Sequence, residues 1–124
     1  MNLEQVHTDP RGDIYRVLLP GGRELMLFFC KAGYFRGGHS HDCDELVLLL
    51  SGKLRYHKWV NGAEDVTDLD EGGVSYTQAG IAHLGEFITD CWLIDWKLGG
   101  VQAGGFVTVD FEPFRKLVRE RMTQ

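Results

Sequence analysis

The residues of this sequence best suited to chemistry are three histidines and one glutamate. His39 and His41 are two residues apart, Glu45 follows four residues after His41, and His83 lies 38 residues beyond Glu45. Side chains two apart on a β-strand project from the same face, so the first two imidazoles would lie side by side. A third imidazole and a carboxylate would complete a ligand set for Fe, Mn, Ni, Co, Zn or Cu. We therefore predict one divalent transition metal ion, with coordination positions left for water or substrate.

The elements that must position these residues are β-strands. Apolar, aromatic and β-branched runs alternate with Gly-containing turns, as in all-β sandwiches and barrels. Asn61-Gly62, between Trp59 and Ala63, predicts a two-residue hairpin turn. The expected strands are Ile14–Leu18, Glu24–Cys30, Gly33–His41, Glu45–Ser51, Lys53–Val60, Ala63–Leu69, Val74–Thr77, His83–Ile88 and Cys91–Lys97.

Only the C-terminus predicts a helix, over about 112–122. Pro113 can open it, and apolar residues from Phe114 to Met122 recur at helical spacing. We expect this helix to pack on the outside of the barrel, and the segment from Gly99 to Gly105 to be a flexible connection to it. Its basic side chains are expected to form a solvated face that complements the helix dipole; they are Arg115, Lys116, Arg119 and Arg121.

Length and composition exclude several classes of function. A chain of 124 residues fits a single domain over 1–124. A net charge of −5, from 13 basic and 18 acidic side chains, provides no basic surface for nucleic acid or anionic membranes. No apolar run approaches the ~20 residues that span a membrane, and no signal-peptide pattern opens the chain. We expect a cytoplasmic protein that binds a small molecule, with neither nucleic acid nor membrane as a partner.

The candidate ligands also lie in a known pattern. It consists of Gly33, five residues, His39-Ser40-His41, three residues, Glu45, six residues and Gly52. This stretch, 33–52, resembles the first motif of the cupin superfamily, and 72–87, with Gly72, Gly80 and His83, resembles the second. Gln78 and Phe87 depart from the residues usual in the second motif. The resemblance implies a cupin double-stranded β-helix, which is a jelly-roll barrel, and metal binding by His39, His41, Glu45 and His83. Cupins commonly dimerise, so a homodimer is also expected.

Four further side chains are predicted to shape a substrate pocket: Phe35, Phe87, Arg36 and Tyr56. Phe35 alternates in phase with His39 and His41, and Phe87 with His83, so both aromatic rings should face the metal cavity if the strands are regular. The catalytic residues are expected to be Glu45, His39 and His83. His57 is expected to be a hairpin residue and not a ligand.

The reaction type follows less directly from the sequence. Asp9-Pro10-Arg11-Gly12 and the stretch from Arg36 to His41 resemble parts of nucleotide-sugar 3,4-ketoisomerases, in which histidine bases move protons on keto-sugars and an acid is commonly absent where Glu45 stands. Glu45 therefore favours a metalloenzyme that acts on a sugar or on a keto or carboxylate compound. An isomerase or epimerase is preferred. The alternatives are an Fe-type dioxygenase and a non-catalytic ligand-binding or sensory cupin.

Overall fold

The structure is a computed structural model that describes residues 2–98 and 106–123. The expected flexible connection from Gly99 to Gly105 lies outside the described residues. The strands are β1 (Asn2–Asp9), β2 (Gly12–Leu18), β3 (Glu24–Cys30), β4 (Phe35–His41), β5 (Glu45–Ser51), β6 (Leu54–Val60), β7 (Ala63–Leu69), β8 (Val74–Thr77), β9 (His83–Phe87), β10 (Cys91–Lys97) and β11 (Thr108–Asp110). A 3-10 turn spans Pro20–Gly22, and helix α1 spans Glu112–Met122.

Two antiparallel sheets face each other and form the barrel. The six-stranded sheet has the order β1-β2-β3-β10-β5-β8, and the five-stranded sheet has the order β11-β4-β9-β6-β7. Alternate side chains of both sheets meet between them in an apolar core that includes Val47, Leu49, Leu54, Phe87 and Leu93. This arrangement confirms the prediction of an all-β jelly-roll barrel with a C-terminal helix.

Helix α1 packs against the outer face of the five-stranded sheet. Phe114 is 2% exposed and forms a second apolar cluster with Phe35 and Leu84. Arg121, at the end of the helix, makes an ion pair with the buried Glu86 of β9. Arg115, Lys116, Arg119 and Arg121 are all exposed, as the sequence predicts, and Arg121 also contacts the sheet through this ion pair.

Local sequence patterns predict most strands correctly. Asn61 and Gly62 have φ angles of 52° and 77°, which confirms the left-handed hairpin turn between β6 and β7. Two strands were not predicted. β1 has no alternation of buried apolar residues and is exposed along almost its whole length, and β11 is only three residues long. Both form through backbone pairing with a neighbouring strand, β1 with β2 and β11 with β4.

None of the helices in the described residues is long and apolar enough to cross a membrane. The single-domain organisation, the cytoplasmic location and the homodimer stay predictions.

Candidate metal centre

Three imidazoles meet at the inner face of the five-stranded sheet. His39 and His41 lie on β4, and His83 begins the adjacent strand β9, where it pairs directly with His39. The ring centroids are 4.4 to 5.1 Å apart. One nitrogen from each ring lies within 4.8 Å of the others, close enough for the three to hold one metal ion. The structure thus brings together the three histidines that the sequence predicts as ligands.

Hydrogen bonds and burial prepare these rings for metal binding. His83 Nδ1 lies 3.1 Å from the Ile81 carbonyl oxygen; a carbonyl only accepts, so Nδ1 carries the proton and the Nε2 lone pair is available. His41 Nδ1 lies 3.1 Å from Thr108 Oγ1, which orients the second ring. Burial lowers the pKa of His39 to about 4 and of His41 to about 3, and it also lowers the pKa of His83. All three rings are therefore neutral at pH 7, the form that binds a metal, and this donor set fits a divalent transition metal.

Glu45 lies beside the three histidines. It begins β5 and is 3% exposed, with Oε1 3.4 Å from His83 Nε2 and Oε2 3.5 Å from His41 Nε2. The Tyr56 hydroxyl donates to Oε1 at 3.3 Å, and Lys97 Nζ lies 3.1 Å from Oε2. The carboxylate is thus close enough to join the metal ligands, but it also has two partners of its own. Its role as fourth ligand stays a prediction.

The histidines and Glu45 lie in a cavity of about 350 Å³ inside the barrel. Three of the four predicted pocket residues line it, namely Arg36, Tyr56 and Phe87. Phe87 faces the cavity as its alternation with His83 predicts, because β9 pairs regularly with β6. What these residues contribute to substrate binding stays a prediction.

The predicted orientation of Phe35 is wrong. Its ring does not line the metal cavity; it packs under α1 with Leu84 and Phe114. The reason is a bulge, because the pairing of β4 with β9 shifts by one residue between Gly37 and His39. An extra residue reverses the alternation, so Arg36 and not Phe35 shares the face of the histidines. Gly37 has a φ angle of 109°, and a Cβ there would lie 2.8 Å from the His83 carbonyl oxygen, so this backbone requires glycine.

Three charged residues that line the cavity were not predicted from the sequence, namely Arg11, Asp95 and Lys97. Asp95 and Lys97 on β10 both line it, with Lys97 Nζ 2.8 Å from Asp95 Oδ1. Burial, followed by the negative charge of Glu45, raises the pKa of Asp95 to about 7. Burial opposes the charge of Lys97, but Asp95 and Glu45 together raise the pKa of Lys97. The sequence does contain a signal for Asp95 and Lys97, because both alternate along β10 in phase with Leu93, which is buried.

Comparison of the sequence with protein-family models and with curated proteins gives no match. Comparison of the structure with solved structures gives clear matches. CapF, a capsular polysaccharide assembling protein from Staphylococcus aureus, is 21% identical with a TM-score of 0.70, and the match covers 90% of this chain and 32% of that one. A variant of oxalate decarboxylase from Bacillus subtilis is 18% identical with a TM-score of 0.72, and the match covers 89% and 30%.

A third match is vicilin from hazelnut, Corylus avellana. It is 12% identical with a TM-score of 0.66, and the match covers 86% of this chain and 34% of that one. The chain thus spans about a third of the length of each of these proteins. These neighbours are cupin β-barrels, and the matches cover 86 to 90% of this chain. The chain has the cupin fold.

Proposed function

We propose that this chain is a metal-dependent enzyme that moves a proton on a small, anionic, oxygenated substrate, in a reaction of the isomerase or epimerase type. The observation that carries the proposal is the convergence of three neutral imidazoles with Glu45 and Asp95 on one buried cavity. Bacillus subtilis oxalate decarboxylase, which has the same fold, contains Mn(II) centres. His39, His41 and His83 would hold the metal, which when bound supplies Lewis-acid polarisation of a substrate oxygen.

The charges of the cavity favour an anionic substrate. With both acids ionised, Glu45 and Asp95 carry two negative charges and the other charged lining residues, Arg11, Arg36 and Lys97, carry three positive charges; a divalent ion would add two more positive charges. Arg36 adds hydrogen-bond donors to the same cavity. Its Nε and Nη2 atoms are buried without a hydrogen-bond partner among the described residues, and Nη2 lies 3.7 Å from Asp9 Oδ1. A substrate carboxylate or enolate would satisfy both the excess charge and these donors.

The residues of β10 are placed to handle the proton. Asp95 lines the cavity and is held by Lys97, so its carboxyl group has a fixed orientation toward bound substrate. Glu45 is oriented by the Tyr56 hydroxyl on one oxygen and by Lys97 near the other. A pKa of about 7 suits Asp95 to both accept and return a proton at neutral pH. The apolar walls, which include Phe28 and Leu93, keep bulk water away from this exchange.

The proposal is tested by metal analysis and by proton exchange. Protein purified without chelator should carry about one transition metal ion per chain. Incubated in D₂O with 2-keto and 2-hydroxy carboxylates and with keto-sugars, it should introduce deuterium next to the carbonyl of its substrate, as read by proton NMR. Asp95→Asn should retain the metal and lose at least ~100-fold in exchange rate. Asp65→Asn, which changes an exposed acid of β7, is the matched control and should exchange normally.

Glu45→Gln separates this proposal from its alternatives. It keeps the shape of the side chain without the charge, so it should weaken metal retention and abolish exchange. Full activity of this variant on a keto-sugar nucleotide in the presence of chelator would instead support histidine bases without a metal. Metal-dependent oxygen uptake without deuterium exchange would replace the isomerase by a dioxygenase. A protein that neither contains nor is stabilised by Mn, Fe, Co, Ni, Cu or Zn would contradict the metalloenzyme itself.

A further inference from the structure

A second cavity, of about 260 Å³, lies outside the barrel between strand β4 and helix α1. Half of the residues that line it are arginines, and they come from three separate parts of the chain: Arg11, Arg36, Arg115 and Arg119. Phe35, Leu84 and Val118 form an apolar wall beside them. None of the described residues that line this cavity is acidic. This cavity, called the arginine cavity below, shares Arg11, Arg36 and Gly37 with the lining of the metal cavity, but none of the histidines or acidic residues of the metal cavity lines it.

The close approach of α1 to the β4 bulge builds the arginine cavity. The Phe111 amide donates to the Gly38 carbonyl oxygen at 2.8 Å, and a Cβ on Gly38 would lie only 3.3 Å from Arg115 Cγ. This contact fixes the start of the helix on the strand. Arg119 follows Arg115 by four residues, so both side chains lie on the same face of the helix, above the cavity. The arrangement depends on the fold and not on side chains that extend freely into solvent.

The four guanidinium groups share three carboxylates. Arg11 Nη2 lies 2.7 Å from Asp9 Oδ2, and Arg115 Nη1 lies 3.3 Å from Asp110 Oδ1. Arg119 pairs with Glu112. The fourth group, Arg36, lies near the same carboxylate as Arg11, with Nη2 3.7 Å from Asp9 Oδ1. Four positive charges thus face three negative charges, which leaves an excess of one positive charge.

The four arginines differ in exposure. The Arg36 side chain is 11% exposed and reaches the metal cavity, where its guanidinium carbon lies 5.5 Å from the centre of the Phe28 ring. Arg11, Arg115 and Arg119, with side chains 42 to 60% exposed, form the rim. Three exposed guanidinium groups at the rim of one cavity are suited to an anion that enters from solvent.

We propose that the arginine cavity binds a phosphoryl group. A phosphoryl dianion offers three acceptor oxygens and two negative charges to several guanidinium forks at once, whereas a carboxylate offers two oxygens and one charge. The adjacent apolar wall would contact the carbon part of a phosphate ester. The proposal goes beyond the metal chemistry, since none of the metal-ligating residues lines this cavity. It also gives Arg115 and Arg119 a role that the sequence alone did not assign to them.

The test is calorimetric titration of the full chain, as purified, with inorganic phosphate and with glycerol 3-phosphate at constant ionic strength. We expect saturable binding that becomes at least tenfold weaker in Arg115→Gln/Arg119→Gln. The matched control, Arg23→Gln/Lys116→Gln, removes the same charge from two exposed residues, one of them on the same helix, and should change the affinity less than twofold. Arg115→Lys/Arg119→Lys, which keeps the charge without the fork, should fall between the two. Circular dichroism and metal content establish that each variant is folded.

The two ligands distinguish the source of the phosphoryl group. Tighter binding of inorganic phosphate would support a free phosphate site, and tighter binding of the ester would support a phosphorylated metabolite as ligand. Absence of saturable binding by both would overturn the proposal. Equal weakening in the two glutamine double variants would also overturn it, since only overall charge would then matter. Unchanged affinity in both would place the phosphate elsewhere, for example on the metal, and would overturn the proposal as well.

Discussion

The two sheets of the barrel differ on both of their faces. On the outside, the five-stranded sheet is covered by α1, whereas no helix of the described residues covers the six-stranded sheet, where Leu50, Trp92 and Tyr76 remain 38 to 46% exposed. On the inside, the five-stranded sheet provides three neutral imidazoles and the six-stranded sheet provides charged groups, Glu45 among them. The metal cavity thus combines ligand nitrogens from one wall with the charge that modifies them from the other. Variants of one wall should change metal affinity, and variants of the other should change charge and proton transfer.

The five-stranded sheet also buries a histidine on its outer face, and the contrast with the inner face is informative. His57 Nδ1 lies 2.6 Å from Glu64 Oε1, and Nε2 lies 3.0 Å from Glu86 Oε1. Both nitrogens are therefore occupied by carboxylates, and Arg121 of the helix pairs with the same Glu86. The inner histidines instead converge on one another. Burial alone does not identify a ligand; the partners of the ring nitrogens do.

The largest effect is expected from the inner face. His39→Ala/His41→Ala removes two of the three imidazoles and should weaken metal affinity by at least ~100-fold, because each ligand contributes separately to binding. The fold should persist, since the apolar core, which includes Leu49 and Leu93, contains neither residue. Metal analysis and circular dichroism of the same sample measure both effects. A variant that is unfolded would show that the metal is structural, and would remove the argument for open coordination positions.

The outer face should give the opposite result. His57→Ala leaves the buried Glu86 without one of its partners and should lower the free energy of unfolding by about 2 kcal/mol. His57→Gln, which can still donate to one carboxylate, should lose less. Metal content should be unchanged in both variants, because His57 does not line the metal cavity. Urea denaturation gives the stability. Loss of metal without loss of stability would contradict the distinction between the two histidine groups.

The predictable part of this structure is the part set by local pattern. The Asn61-Gly62 turn and strands such as β3 and β7 depend on neighbouring residues only, and their bounds were predicted correctly. The three histidines could be found because a fixed spacing accompanies them. The phase of a uniformly apolar strand is not a local property: every position from Leu46 to Leu50 is apolar, yet Leu49 is buried while Leu50 is 39% exposed.

The unpredictable part depends on contacts between distant strands. The bulge reverses the orientations of Phe35 and Arg36, and it is set by the pairing of β4 with β9, which lies more than forty residues further along the chain. The sequence shows two adjacent glycines, Gly37 and Gly38, but not which residue of β4 is the extra one. Asp95 and Lys97 were not predicted because the apolar residues Trp92, Ile94 and Trp96 alternate with them along β10. This pattern suggests that the apolar face points into the barrel, whereas it is the outer face. Charged side chains that point into a core indicate a functional cavity more reliably than the aromatic residues beside them.

The smallest expected effect concerns the charged wall and is a dependence of stability on pH. The pKa of Asp95 is raised from 3.8 to about 7, chiefly by burial and then by the charge of Glu45. Between these values the folded protein holds a proton that the unfolded chain has released, so this residue makes the free energy of unfolding fall as pH rises from about 4 to about 7. The buried histidines, whose pKa values are lowered, act in the opposite direction, so the Asp95 contribution must be taken as a difference between two proteins.

The free energy of unfolding of Asp95→Asn should rise by about 1 kcal/mol relative to that of the wild type between pH 6 and pH 8. Urea denaturation in the presence of chelator measures this difference, with Asp65→Asn as the control that should follow the wild type. A constant difference, or one of opposite sign, would show that Lys97 keeps Asp95 ionised in the folded protein.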